Sequence, residues 1–346
     1  MTEPAIQVRD LWQVFGPKPA RALNEARASS ADDLEIAEKL KAQDYIPAVR
    51  AASFDVAPGE LFVVMGLSGS GKSTLIRGIS RLVEPTAGAV KIMGEDILSM
   101  SKRRLIEMRR RHMGMVFQHF GLFPHMTVLD NVSYPLRVQG VGREARAEKA
   151  REVIELVGLK GREDAWPREL SGGQRQRVGI ARSLAGDCDV WMLDEPFSAL
   201  DPLIRRQLQD EFLDIRARLN TTIVFITHDI FEALKIADRI AIMRDGVVVQ
   251  IGTPAEIILN PADDYVRAFT DDVPKGRHTK VGSVMKAERG AVASDIELRT
   301  GMTLEQAMAA CAGSLGEVAV KDGEGRVVGS VRPGDLIRAL GHEAAH

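Results

Sequence analysis

The chain has 346 residues, is 45% hydrophobic and carries a formal net charge of −2. That length and apolar content support a sizeable core and two domains, and the near-neutral balance argues against a dedicated nucleic-acid surface of the strongly basic kind. No apolar run approaches the ~20 residues needed to cross a bilayer, Met1-Thr2-Glu3-Pro4 does not read as a signal peptide, and Cys188 and Cys311 show no metal or redox spacing, which suits a reducing compartment.

Taken in chain order, the first landmark is aromatic: Trp12 and Phe15 precede Gly16, and an aromatic here can simply be core. Residues 17–47 follow as an extra stretch in which Ser30-Ala31-Asp32-Asp33 starts a helix continuing through Leu34, Ile36, Ala37 and Leu40. Glu60 to Met65 is a short apolar strand. It runs directly into Gly66-Leu67-Ser68-Gly69-Ser70-Gly71-Lys72-Ser73-Thr74, and Leu75 to Ile79 opens a helix. Strand, glycine-rich turn and helix in that order form a phosphate-binding loop. Gly66, Gly69 and Gly71 let the backbone wrap its N–H groups around an anion, and the helix N-terminus adds its positive dipole end. A triphosphate is the natural guest, with Lys72 reaching the β- and γ-phosphates and the Ser73 hydroxyl ligating Mg²⁺.

The basic run Lys102-Arg103-Arg104 with Arg109-Arg110-Arg111 is interleaved with Leu105, Ile106 and Met108 and reads as the wet face of an amphipathic helix; anion or lipid-headgroup binding is the alternative. Another helical stretch covers about 143–157. The apolar strand Cys188 to Leu193 ends in Asp194-Glu195, paired carboxylates suited to metal-dependent phosphate chemistry: Asp194 on Mg²⁺, and Glu195 orienting and deprotonating the attacking water. A third apolar strand, Thr222-Ile223-Val224, leads to His228. The alternation of strands and helices over residues 55–250 predicts an α/β core with a mostly parallel sheet. After Asp272 the composition shifts to a polar linker at 273–280. A smaller α+β unit at 281–346 then reads helix (304–310), strand (317–320), Asp322-Gly323 turn, strand (326–331) and helix (333–340).

With these segments in order, residues 5–270 resemble the ATP-binding subunits of ABC transporters. The resemblance implies that Leu170-Ser171-Gly172-Gly173-Gln174 is the signature turn, whose Ser171, Gly172, Gly173 and Gln174 contact the γ-phosphate of ATP held by the opposite protomer. It implies further that Gln118 couples metal and attacking water to the membrane partner, that Ser198 to Asp201 crosses a dimer interface, that His228 is the switch histidine, and that Phe15 stacks on adenine. It places the ATP-binding domain at 1–272 with a helical subdomain at about 121–172. A transmembrane permease would dock between Gln118 and the signature, where Phe120, Phe123 and Met126 are either groove or core. The partners implied are a second copy of the chain, permease subunits and, indirectly, a solute-binding protein, with no nucleic acid; the place implied is the cytoplasmic side of the plasma membrane, peripherally.

The 17–47 insert and the runs Arg81 to Thr86, His125 to Asn131 and Ser198 to Arg205 resemble the quaternary-amine uptake subfamily, which imports glycine betaine, choline and similar osmolytes; a tolerated surface loop is the plainer reading of the insert. The 281–346 unit resembles one CBS repeat where such subunits often carry two, and it is expected to sense ionic strength, bind a nucleotide or dimerise. An importer for another solute, such as proline or a polyamine, and a soluble ABC-type ATPase are the competing functions.

Overall fold

The computed structural model describes residues 3–117, 121–198, 200–219, 221–286, 296–311 and 316–340. Packing divides the chain into two compact units, 1–232 with 241–249, and 233–240 with 250–346.

In the first unit the chain runs through β1 (Ile6–Phe15), α1 (Pro19–Ser29), α2 (Asp33–Lys41), β2 (Ile46–Val56), β3 (Leu61–Met65), α3 (Lys72–Ile79), β4 (Ala87–Ile92), β5 (Glu95–Asp96), α4 (Lys102–Arg111) and β6 (Met113–Val116). It continues through α5 (Val128–Val138), α6 (Arg143–Leu156), α7 (Gly172–Leu184), β7 (Val190–Asp194), α8 (Pro202–Arg218) and β8 (Thr222–Thr227), and the next elements, α9 (Ile230–Ile236), β9 (Arg239–Arg244) and β10 (Val247–Gly252), straddle the division between the units. Two sheets result. One has the order β2-β1-β4-β5 and is antiparallel; the other has the order β10-β9-β3-β8-β7-β6, with β3, β8, β7 and β6 parallel. The parallel sheet was expected and the antiparallel one was not.

Strands β3, β7 and β8 are buried at every residue, which is why each reads as an unbroken apolar run instead of an alternating one. Their register sets Met65 beside Thr227 and Asp194 beside Ile226, so the three chain segments leaving these strands emerge side by side at the carboxyl edge of the sheet, where ligands of open α/β sheets bind. Behind β7 and β8, the rings of Trp191 and Phe225 each lie within 6 Å of Phe212, at 5.6 and 5.7 Å, and Phe197 lies 5.8 Å from Phe225. This aromatic cluster fixes α8 and the segment after Glu195 on the sheet. The buried Trp191 Nε1 donates to Ser183 Oγ (2.8 Å), so its polar atom is satisfied.

Residues 17–47 form two helices where one was expected. Asp32 caps α2, its Oδ1 accepting from the N–H groups of Leu34 (2.7 Å) and Glu35 (3.1 Å). The unforeseen α1 starts on Pro19 and buries only Ala22, Leu23 and Ala26, a weak apolar signal. Both helices cover one face of β1 through Trp12, Val14, Leu23, Ile36 and Leu40. Trp12 is thereby core, whereas Phe15 at the end of β1 is 41% exposed.

The basic helix α4 forms as expected, with Leu105 and Met108 buried. Some of its arginines are structural: Arg104 pairs with Glu95 (2.6 Å), and Arg109 donates to the Ser80 carbonyl (3.2 Å). Phe123 is half-buried against Tyr134, with ring centroids 4.6 Å apart, and Met126 is half-buried. Fully buried Asn131 ties this loop down, donating to the carbonyls of Phe123, Met126 and Thr127 at 3.0–3.1 Å. Phe120 lies outside the described residues.

The second unit contains α10 (Pro254–Leu259), α11 (Asp264–Thr270), α12 (Lys275–His278), β11 (Glu297–Arg299), α13 (Leu304–Ala310), β12 (Val318–Lys321), β13 (Val327–Val331) and α14 (Pro333–Leu340). The sheet order is β11-β12-β13, parallel then antiparallel, over a core that includes Val281, Leu298, Leu304, Val320, Val331 and Leu336. Asp322 Oδ1 accepts from the N–H groups of Glu324 and Arg326, both at 2.9 Å, which closes the expected turn. The 273–278 stretch is more structured than a polar linker: Val273 is buried, α12 is helical and Arg277 pairs with Glu305 (3.1 Å).

Candidate active site

The site is built at the carboxyl edge of β3, β7 and β8. After β3 the chain enters the glycine-rich turn, and the backbone itself explains the glycines. Gly66 has φ +152° and a Cβ there would lie 2.2 Å from the Met243 carbonyl oxygen; Gly71 has φ +99° and its Cβ would lie 2.2 Å from the Ala48 carbonyl oxygen. No side chain fits either position. Helix α3 begins at the next residue, with no side-chain cap from Gly71, so its N-terminal N–H groups face the same cleft that the loop encircles.

Lys72 is 5% exposed, and its Nζ donates to the carbonyls of Gly66 (2.8 Å) and Leu67 (3.0 Å) while lying 4.0 Å from Glu195 Oε1. Burial pulls its pKa down, and the Glu195 and Asp194 carboxylates oppose that shift. The ammonium thus holds the loop in its wrapped form. A cleft of about 490 Å³ opens above it, lined by Ser68, Lys72, Ser73, Thr74, Glu195 and His228 among others, a volume within the range of small-ligand sites.

The two carboxylates differ in setting. Asp194, the last residue of β7, is 1% exposed and accepts a hydrogen bond from Ser73 Oγ at 2.7 Å; Arg77 Nη2 lies 3.7 Å away. Burial raises its pKa, against the lowering effects of Ser73 and Arg77. Glu195 adopts φ +47°, the left-handed region that a non-glycine residue avoids. This bend, anchored by its N–H donating to the Ile226 carbonyl (3.1 Å), turns the side chain back over the cleft, where Oε2 lies 3.2 Å from Nδ1 of the half-exposed His228. One carboxylate therefore faces a hydroxyl in a buried corner, and the other stands between an ammonium and an imidazole at the cleft wall.

The signature turn lies elsewhere on the same unit. Ser171 caps α7 in a reciprocal box with Gln174: Ser171 Oγ accepts from the Gln174 N–H (3.2 Å), and Gln174 Oε1 accepts from the Ser171 N–H (3.0 Å). Asp201 caps α8 through the Ile204 N–H (3.1 Å), and a Cβ on Gly173 would lie 2.9 Å from Ile204 Cγ2. The two turns are packed together. None of Ser171, Gly172, Gly173, Gln174 and Asp201 lines the Lys72 cleft, nor does Phe15; Gln118 lies outside the described residues. Arg77 was missed by sequence reasoning, although its place five residues after Lys72 on α3 was a usable clue. Ala48, which also lines the cleft, carried no signal, since its carbonyl and not its side chain meets the loop.

A wrapped glycine turn holding a buried lysine, a serine paired with a strand-end aspartate, and a glutamate beside a histidine define a P-loop nucleoside-triphosphate hydrolase. Comparisons with known proteins narrow the class. Residues 49–198 match the ABC transporter family. The trimethylamine N-oxide transport system ATP-binding protein TmoW of Pelagibacter ubique is 48% identical over 340 residues, 98% of each chain, and that of Ruegeria pomeroyi is 54% identical over 306 residues, 88% of each. The glycine betaine transport ATP-binding protein OpuAA of Bacillus subtilis is 50% identical over 281 residues, 81% of this chain and 66% of that one. A dimeric ATP-binding cassette solved in a post-hydrolysis state with ADP and Pi superposes with a TM-score of 0.60 at 28% identity, covering 72% of this chain and 98% of that one. The chain belongs to the ATP-binding subunits of ABC transporters, in the group that serves osmolyte systems, and is an ABC-type ATPase. Among the described residues no helix is long and apolar enough to cross a membrane.

Proposed function

We propose that this chain, as one half of a homodimer, hydrolyses ATP to drive import of a small methylated-amine osmolyte through a separate permease, working at the cytoplasmic face of the membrane. Trimethylamine N-oxide is the first candidate solute, and glycine betaine and choline are its nearest chemical alternatives. The observation that carries this choice is extent: similarity to the Pelagibacter trimethylamine N-oxide protein runs through 98% of both chains, whereas the glycine betaine protein of Bacillus subtilis continues well beyond the 66% of its length that is matched. The test is ATPase activity of the chain reconstituted with its permease and solute-binding protein in lipid vesicles. Trimethylamine N-oxide is expected to stimulate hydrolysis several-fold, with glycine betaine or choline weaker; stimulation by proline or a polyamine alone would overturn the assignment.

Within the site, Lys72 would exchange the Gly66 and Leu67 carbonyls for the β- and γ-phosphate oxygens of ATP. Ser73 and Asp194 are the residues that would hold Mg²⁺. They fit it: two oxygens 2.7 Å apart in a corner where burial penalises the Asp194 charge, a penalty that a divalent cation relieves. When bound, Mg²⁺ would neutralise charge on the β- and γ-phosphates. Glu195 would take the proton of the attacking water, and His228 would orient Glu195 and reach the γ-phosphate. Ser171 to Gln174 of the second protomer would close over the same phosphate, in keeping with their not lining the Lys72 cleft of their own chain. Phe15, exposed while Trp12 is buried, would stack on adenine. Gln118 would couple this site to the permease, with Phe123 and Met126 at the docking surface. The 281–346 unit would be a regulatory module resembling a single CBS repeat.

A further inference from the structure

One polar chain in the first unit takes no part in this hydrolytic scheme. It starts at the Leu200 carbonyl, which accepts from Arg205 Nη2 at 3.1 Å, and Arg205 Nη1 lies 3.5 Å from Asp229 Oδ2. The other oxygen of that carboxylate accepts from the N–H groups of Phe231 (2.9 Å) and Glu232 (3.2 Å), while the Asp229 N–H donates to Thr227 Oγ1 (3.0 Å). The Glu232 carboxylate takes a hydrogen bond from the Thr227 side chain and another from Gln209 Nε2 at 2.9 Å. Gln209 stands one helical turn beyond Arg205 on α8, so the chain closes on the helix it left.

Glu232 and Gln209 are 5% and 6% exposed. Burial drives the Glu232 pKa up and the bonds from Thr227 and Gln209 draw it back. A buried carboxylate is costly, and an apolar pair of similar volume holds two helices together at least as well; adhesion alone does not account for it. What the polar pair adds is geometry. It fixes Thr227 and, through Asp229, both backbone neighbours of His228, and it refers them to α8, whose first turn is capped by Asp201.

We infer that Glu232 and Gln209 are positioning residues, a buried link that holds His228 toward Glu195 in register with the Asp201 turn of α8. The inference rests on the hydrolytic roles given above to Glu195 and His228. Seating of the Asp201 turn against a second protomer would then be felt at His228 through hydrogen bonds that never touch nucleotide.

The purified full chain tests it with Gln209→Glu, which sets two carboxylates where an amide now donates. Turnover is expected to fall about tenfold while affinity for a fluorescent ATP analogue stays within about twofold, because the Lys72 loop is untouched. Adding Glu232→Gln exchanges donor for acceptor and is expected to return turnover to within about threefold of the parent. Should Gln209→Glu fail to fold, Arg205→Lys decides: loss of the forked contacts to Leu200 and Asp229 is expected to lower turnover about fivefold at unchanged ATP affinity. Parental turnover in folded Gln209→Glu or in Arg205→Lys, or no recovery in the double variant, overturns the link. Glu195→Gln in the same assay separates the causes, since full turnover there defeats the hydrolytic reading itself, and lost turnover there beside a normal Gln209→Glu defeats only the positioning role.

Discussion

Glu195→Gln is expected to lower ATP turnover by about 10²-fold or more with ATP affinity essentially unchanged. The substitution is nearly isosteric, so the left-handed backbone at φ +47° and the anchor to Ile226 persist. The amide oxygen still accepts from His228, whose Nδ1 lies 3.2 Å from the present carboxylate. What disappears is basicity at the carboxylate that lines the open cleft, because Asp194 is 1% exposed and committed to Ser73. Nucleotide should then bind and close a dimer that opens only slowly. Single-turnover kinetics give the rate, and size-exclusion chromatography with ATP and Mg²⁺ gives the dimer, which should accumulate in the variant and not in the parent. Unimpaired turnover would move the role of base to another residue.

Lys72→Ala should act one step earlier and leave a protein that scarcely binds nucleotide, with affinity reduced about 10- to 100-fold, as expected for losing the charge-assisted hydrogen bonds of a buried ammonium. The variant also leaves the Gly66 and Leu67 carbonyls without the ammonium that now bridges them, so the empty loop loses its internal support. The fold as a whole should survive, since removing a buried ammonium also removes its desolvation penalty. Calorimetric titration with ATP, alongside a thermal midpoint to establish folding, checks both statements. Normal affinity in a folded Lys72→Ala protein would remove the phosphate-binding role from residues 66–74. The two variants thus divide binding from hydrolysis.

Much of this site was legible in the sequence because its chemistry is carried by backbone requirements that few residues meet. Gly66 and Gly71 stand where a Cβ would strike a carbonyl at 2.2 Å, and the strands before Gly66, Asp194 and His228 must be apolar on both faces to sit inside a parallel sheet. The remainder depended on tertiary contacts that no local pattern encodes. The antiparallel sheet was hidden because β1 and its edge partner β2 are separated in sequence by two helices. Helix α1 went unseen since alanines supply most of its buried face. The bend at Glu195 and the bond between Gln209 and Glu232, 23 residues apart, leave no periodicity to read. The segment at 273–278 looked like a tether on composition, yet one buried valine and one ion pair with Glu305 give it a fixed place within its own unit.

Phe15 and Ile46 face each other across β1 and β2, so everything between them leaves and re-enters the sheet at a single rung. Tyr45 latches that rung shut, its hydroxyl donating to the Pro17 carbonyl at 2.7 Å while its ring covers Gly16. A protein engineer can treat the bend between α1 and α2 as a mounting point: a fluorophore or affinity tag spliced between Ser30 and Ala31 would hang from a closed bracket, adding bulk outside without pulling apart the strands beneath.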